Sequence, residues 1–320
     1  MANVPLRFIA YRWDHLTPLL TGEIVPEGID LTFDRTVLLP TLFADPSYDG
    51  GESSLGLYMQ RFARGDRDWV GMPIFPMHQF RHRCFLTRRG VSIENLKELE
   101  GKKVGIDGWP NTGNTWTRIL LREAGVDIWK IEWVLAPVEA GASSMRVFER
   151  VHDNVTVAPA GKSLIGMTAD GEIDAMVTAF LPPAFFAPDF PLVHMIPDYR
   201  AAEQAYFKRV GYAPAHHIIV VKRSIAEQHP WIARSLLAAF TAARKSWIAD
   251  RRKLQDTGLW LLPDLEETAS LFGEGWPNFG LEPNLKMLTD FCQDQYHQKL
   301  VDAPVDPVEA FAAFTEMMQS

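Results

Sequence analysis

Apolar and polar residues alternate at the start of the chain. PLRFIAY at 5–11 and GIDLTFDRT at 28–36 carry the period of two that turns one face of a strand toward a core. The unbroken apolar run WVGMPIF at 69–75 predicts a strand buried on both faces. Between them, SSLGLYMQRFARG at 53–65 predicts a short helix stopped by Gly65. The two signatures then take turns. SIENLKELEGKKVGID at 92–107 predicts a capped helix that passes through a glycine into a strand, and GNTWTRILLREAGV at 113–126 a helix with Trp116, Ile119, Leu120 and Ala124 on one face. IEWVLAP at 131–137 predicts a strand, GKSLIGMTADGEIDAMVTAF at 161–180 a helix and then a strand, and HHIIVVKRS at 216–224 a strand entering a long helix over 225–251. From there to Ser320 the pattern is helical, with breaks near Pro263, in GEGWPNFG and in DAPVDP. Strands alternating with helices predict an α/β protein.

No short repeat is present, but FRHRCFLTRRG at 80–90 and PAHHIIVVKRS at 214–224 echo one another. Each places histidine in front, an apolar run behind it and a basic pair at its end. Two such strands suit a pair of crossovers between two lobes, one made of residues 1–86 and 216–320 and the other of residues 87–215. The length of 320 residues leaves room for two cores of this size.

Composition narrows the function classes. A chain with 47% hydrophobic and 22% charged residues is an ordinary globular one, and a net charge of −8 speaks against nucleic acid, whose binding needs clustered cations. No run approaches the ~20 apolar residues of a membrane span. Cys84 and Cys292 form neither a metal knuckle nor a disulfide framework and read as reduced thiols. MANVPLRFIAYRWDHLTPLL is broken by Arg7, Arg12, Asp14 and His15 and does not read as a secretory leader, so the expected compartment is the cytoplasm. Nothing in the pattern sets the oligomeric state, and a homo-oligomer stays open.

The segments VPEGIDLTF, RGDRDWVGMPIFPMHQFRH, LKELEGKKVGI, GEIDAMV and PAHHIIVVKR resemble the 4,5-dihydroxyphthalate decarboxylase family, whose relatives include the solute-binding proteins of ABC transporters. LKELEGKKVGI and GEIDAMV occur across that superfamily and mark fold. The stretch PIFPMHQFRH and the spacing from Pro214 to His217 belong to the decarboxylase branch, whereas DGWPNTGNTWTR and Arg83 depart from its pattern. The resemblance implies a two-lobe type II periplasmic-binding-protein-like fold with a helical C-terminal extension and a cleft between the lobes. It implies a carboxy-lyase of aromatic compound degradation, converting 4,5-dihydroxyphthalate to protocatechuate, with a small aromatic carboxylate as its partner and no cofactor. The alternative is a solute-binding protein that captures an aromatic carboxylate.

The reaction needs an acid for the ring carbon, a base for the phenol and a cation for the carboxylate that stays. On the resemblance, Arg81 takes that carboxylate, His82 the phenol or a carboxylate, and His217 the acid role. Side chains of strand neighbours face opposite ways, so His216 stands second to His217. GWPNTGNTW at 108–116 follows a strand and opens a helix, which makes Trp109, Asn111, Thr112, Asn114 and Thr115 candidates for a second anion contact. AYRWDH adds Arg12, Trp13 and Asp14, with His15 as a proton relay to Asp14, and ESSLGLY adds Ser53 and Ser54 at a helix start. Each has a plainer reading: a hydrogen-bonded structural histidine, a capped helix, a surface ion pair. His78 and His82 stand four apart, but Pro73 and Pro76 lie just upstream and no HExxH is present, so no metal site is expected.

Overall fold

A computed structural model describes residues 2–93, 95–141, 152–273, 276 and 278–320. Glu94 of the expected capped helix and Glu274, Gly275 and Pro277 of the GEGWPNFG loop lie outside the described residues. The strands are Val4–Tyr11 (β1), Ile29–Thr36 (β2), Gly50–Ser54 (β3), Trp69–Met72 (β4), Phe85–Arg88 (β5) and Lys103–Ile106 (β6). Glu132–Leu135 (β7), Val155–Val157 (β8), Ala175–Val177 (β9), Leu192–His194 (β10) and His217–Lys222 (β11) follow.

The chain forms two compact units. The first comprises Met1–His78, Ala215–Tyr296 and Val301–Ser320, the second Gln79–Pro214 and His297–Leu300. The expected boundary after residue 86 falls inside β5, because the chain already leaves the first unit at His78. There His78 bridges to Ala215, and the Gln79 N–H donates to the Pro214 carbonyl at 2.9 Å.

The first unit holds a five-stranded sheet of order β2-β1-β3-β11-β4. β1 runs parallel to β2 and β3, while β11 lies antiparallel to β3 and β4. Leu6, Phe8, Ile219 and Val221 of this sheet pack with Leu236 and Phe240 of the helix Ile232–Lys253. Phe314 and Met317 of the C-terminal helices join the same core, and the Tyr58 hydroxyl donates to the Ala310 carbonyl at 2.7 Å. The C-terminal extension therefore completes this unit's core.

The second unit holds a six-stranded sheet of order β10-β5-β9-β6-β7-β8. Leu86, Val134, Leu164, Met176 and Leu192 build its core.

Several elements depart from the sequence pattern. The strand expected over 69–75 ends at Met72, since Pro73 cannot donate to the ladder. The long helix expected over 225–251 is split at Pro230 into Arg223–Gln228 and Ile232–Lys253. The helix expected after Ser92 is a single 3-10 turn, Leu96–Leu99, although Asn95 and Glu98 form a capping box there. β3, β8, β10 and the helix Tyr199–Val210 had no expectation.

Candidate active site

Glycine places the first unit's polar cluster. A Cβ on Gly50 would lie 2.6 Å from the Phe8 ring and from the Val220 carbonyl oxygen, and one on Gly51, whose φ is +142°, would lie 2.3 Å from the Ile9 carbonyl oxygen. Only glycine lets β3 slot this closely between β1 and β11. The next residue, Glu52, then sits in the centre of the sheet with no solvent exposure.

An ionised carboxylate is costly to bury unless its oxygens are bonded or paired. Glu52 accepts from the Tyr11 N–H at 2.8 Å and from Trp13 Nε1 at 2.9 Å to each oxygen, and His217 Nδ1 lies 2.5 Å from Oε1. Register explains the last contact. β11 pairs antiparallel with β3 so that Ile219 stands opposite Glu52, and His217, two residues away, shares its face as a diagonal neighbour. The His217 ring also stacks on Tyr11, with centroids 5.6 Å apart and planes 14° apart. Glu52 thus fixes the imidazole through Nδ1 and leaves Nε2 for a proton-transfer partner. Tyr11 ends β1 and Trp13 lies two residues beyond it, on the side of the sheet's carboxyl ends where α/β sheets hold ligands, and Glu52 reaches them from the middle of β3.

Other expected residues of this unit have structural work. Ser54 caps the helix Leu55–Ala63 by accepting from the Leu57 N–H at 3.3 Å, and Ser53 is buried opposite Ile218. Asp14 is exposed and bonded to Arg251 at 3.3 Å, while His15 Nδ1 is 3.9 Å from it, too far for a proton relay. Arg12 is exposed and His216 is buried just before β11.

In the second unit Arg81 is 3% exposed and donates from Nε to Thr117 Oγ1 at 3.1 Å and from Nη1 to Gln79 Oε1 at 3.3 Å. Both partners are neutral, and among the described residues no carboxylate pairs with it. Gly113, in the first turn of the helix Thr112–Glu123, permits the approach, since a Cβ there would lie 3.2 Å from the guanidinium carbon. A buried cation beside a helix start is suited to an anion.

The amides and hydroxyls expected to help serve the turn itself. Asn114 donates to Asp107 Oδ1 at 2.8 Å, to the Gly108 carbonyl at 2.7 Å and to Asn111 Oδ1 at 3.1 Å, while Asn111 donates to Asp107 at 3.1 Å and Thr115 to the Asn111 carbonyl at 3.1 Å. Thr112 is buried at the helix start. Trp109 is a core residue: it packs edge-on to Trp133 at 5.9 Å, and Arg118 lies over it at 3.9 Å.

His82 sits in the 3-10 turn His82–Cys84, edge-on to Tyr206 at 5.4 Å. Burial pushes its imidazole down to about 4, with Arg209 adding to the effect, so the ring is neutral near pH 7. Neutral imidazole can accept a phenol proton but brings none to carbon. Glu203, which accepts from the Arg83 N–H at 3.4 Å, is held protonated up to about 7, chiefly by burial. Sequence reading missed Glu203 because its setting depends on the fold.

The His82 shift has a consequence for stability. Its folded value lies below the unfolded value of 6.5, so the unfolded chain binds the extra proton in that interval. The contribution is complete above pH 6.5 and is lost as pH falls toward about 4, at most about 3 kcal/mol. Between pH 7 and 4.5 the wild-type melting temperature is expected to fall more steeply than that of His82→Gln. Parallel curves would contradict this assignment.

Among the described residues no three His, Cys, Asp or Glu side chains are grouped to hold a metal ion, and no helix is long and apolar enough to cross a membrane.

No family model matches the chain. It is 26% identical over 320 residues to a 4,5-dihydroxyphthalate decarboxylase of Comamonas testosteroni, covering 97% of each chain. It is 28% identical over 219 residues to one of Pseudomonas putida, covering 67% of this chain and 85% of the relative. The resemblance carried by the motifs thus extends along the whole sequence. Among solved structures, the periplasmic aliphatic sulphonate-binding protein of Escherichia coli superposes with a TM-score of 0.56 at 15% identity, covering 97% of this chain and 92% of that one. The fold is an α/β fold of the periplasmic-binding-protein type.

Proposed function

We propose that this protein is a non-oxidative decarboxylase of a hydroxylated aromatic dicarboxylate, converting 4,5-dihydroxyphthalate to protocatechuate. The observation that carries the reading is the buried Glu52–His217 pair, in a chain that aligns end to end with a decarboxylase of that substrate. Capturing an anion requires donors and cations. It does not require a carboxylate buried behind a histidine, whereas moving a proton at a set position does.

Loss of the phenolic proton sends electrons into the ring, and the para carbon that bears the departing carboxylate takes a proton from His217 Nε2. The bond to CO2 then breaks, and its electron pair restores aromaticity. Atoms and electrons balance without an oxidant or an electron sink, so the proposed reaction is cofactor-independent. Arg81 holds the carboxylate that remains. Cys84 and Cys292, both buried and free, support a reducing compartment such as the cytoplasm.

Incubation of the purified protein with 4,5-dihydroxyphthalate, with and without a chelator, should release CO2 and yield protocatechuate at the same rate. Tight binding without CO2 release, even after divalent metal is added back, would favour a solute-binding protein. Arg81→Ala should weaken phthalate binding by roughly 2–5 kcal/mol, as loss of a buried charge partner does, with a smaller effect on melting temperature. Unchanged affinity with a large fall in melting temperature would make Arg81 structural.

A further inference from the structure

A second polar cluster in the first unit is reached through Trp13. The edge of the Trp13 ring donates to Glu52, and its face stacks on His15, with centroids 6.1 Å apart and planes 19° apart. His15 is 6% exposed, and its Nε2 is buried without a partner among the described residues. Its ring meets Trp247 of the helix Ile232–Lys253 edge-on at 5.9 Å. Arg244 lies one turn earlier on that helix, its guanidinium carbon 5.1 Å from the Trp247 ring, and among the described residues its buried Nε also has no partner. His78, walled by Phe75 at 6.2 Å and Trp276 at 5.7 Å, is the third member.

Charge in the cluster is unbalanced. Burial pushes His15 and His78 down to about 3 each, with Arg244 adding to both shifts, so both rings are neutral at ordinary pH. Burial also lowers Arg244 to about 10, and Asp14 opposes that shift. Asp14 is exposed and already bonded to Arg251, so Arg244 has no close carboxylate among the described residues.

The donor inventory selects a ligand. A guanidinium offers donors only and wants an oxygen carrying negative charge, whereas a neutral imidazole keeps a lone pair that accepts an O–H. A carboxylate offers that oxygen but no O–H for the imidazole lone pair. Two adjacent ring hydroxyls, one of them ionised, satisfy both.

We propose that Arg244 and His15, with His78 beside them, form a subsite for the vicinal hydroxyls of the substrate ring, Arg244 holding the phenolate and His15 accepting from the neighbouring O–H. The identity of the ligand rests on the decarboxylase reading; the subsite's preference for a diol does not depend on turnover. Within the reaction, the electron pair of the ionised O–H feeds the ring, and Arg244 stabilises the oxygen until the phenol regains its proton.

Two probes separate the subsite from the carboxylate site. Catechol carries the hydroxyls alone and phthalate the carboxylates alone. Arg244→Gln should weaken catechol binding by about tenfold or more and leave phthalate binding within about twofold, the reverse of Arg81→Ala. 4-Nitrocatechol, whose colour reports its ionisation, should titrate on the wild-type protein at least about one pH unit lower than in free solution. Arg244→Gln should abolish that shift and Arg244→Lys should retain part of it. An unshifted titration, undetectable binding of 4-nitrocatechol to the wild type, or equal weakening of catechol and phthalate would overturn the proposal. Failure of CO2 release with these binding results intact would instead remove the decarboxylase reading.

Discussion

His217→Asn is expected to lower turnover of 4,5-dihydroxyphthalate by about 10²- to 10⁴-fold, the range seen when an acid–base group is lost. Asparagine keeps a comparable volume and can still hydrogen-bond to Glu52, so the sheet should remain intact. His217 is proposed as proton donor while Arg81 holds the carboxylate, so ligand affinity should change by less than about threefold. A variant with full turnover would move the acid elsewhere. The first alternatives are His216, buried at the adjacent position, and His82, whose neutral ring is better fitted to accept a proton.

Glu52→Gln is expected to cost about 10²-fold or more in turnover, although Glu52 touches no substrate in this reading. The carboxylate accepts from Tyr11 and Trp13 and meets His217 Nδ1, whereas an amide presents one oxygen and a donor group. With the amide oxygen toward His217, the amide N–H2 faces the Tyr11 N–H, and a buried donor set against a donor costs about 1–3 kcal/mol of stability. With the oxygen toward Tyr11 instead, His217 must accept at Nδ1, which puts the ring in the wrong tautomer. Glu52→Ala is expected to be worse for stability than Glu52→Gln, since it leaves all these partners unbonded. Wild-type turnover in Glu52→Gln, with melting temperature matched, would reduce the buried carboxylate to a packing element.

Legibility in the sequence followed locality. β1, β2, β11 and the helix Thr112–Glu123 carry periodic apolar patterns long enough to read, and their residues are buried as those patterns require. β3 was hidden because GGESS has no apolar alternation, and its acid resembled the first turn of the following helix. The helix Tyr199–Val210 was hidden for a related reason: Tyr206 and Val210 are its buried residues, a stripe too thin to stand out. A charged residue directly after paired glycines was the available signal for Glu52.

Site residues divide in the same way. Arg81 and His217 stood in motifs and could be named from them. Glu52 is 165 residues from His217, and Arg244 stood in the long helix expected over 225–251 with nothing to single it out. Only the fold brings such partners together. Trp109 and Asn114 show the other side of this: a loop between strand and helix suggested ligand contact, whereas the fold packs the indole against Trp133 and Arg118 and bonds the amide to Asp107.

The most direct measurement is single-turnover release of labelled CO2 from carboxyl-labelled 4,5-dihydroxyphthalate, with protein in excess and ligand occupancy verified by calorimetry. The account predicts a burst of one CO2 per bound ligand from the wild type, and a rate at least about 10²-fold slower from His217→Asn at equal occupancy. Full occupancy with no CO2 from the wild type, or equal rates from the two proteins, would contradict it.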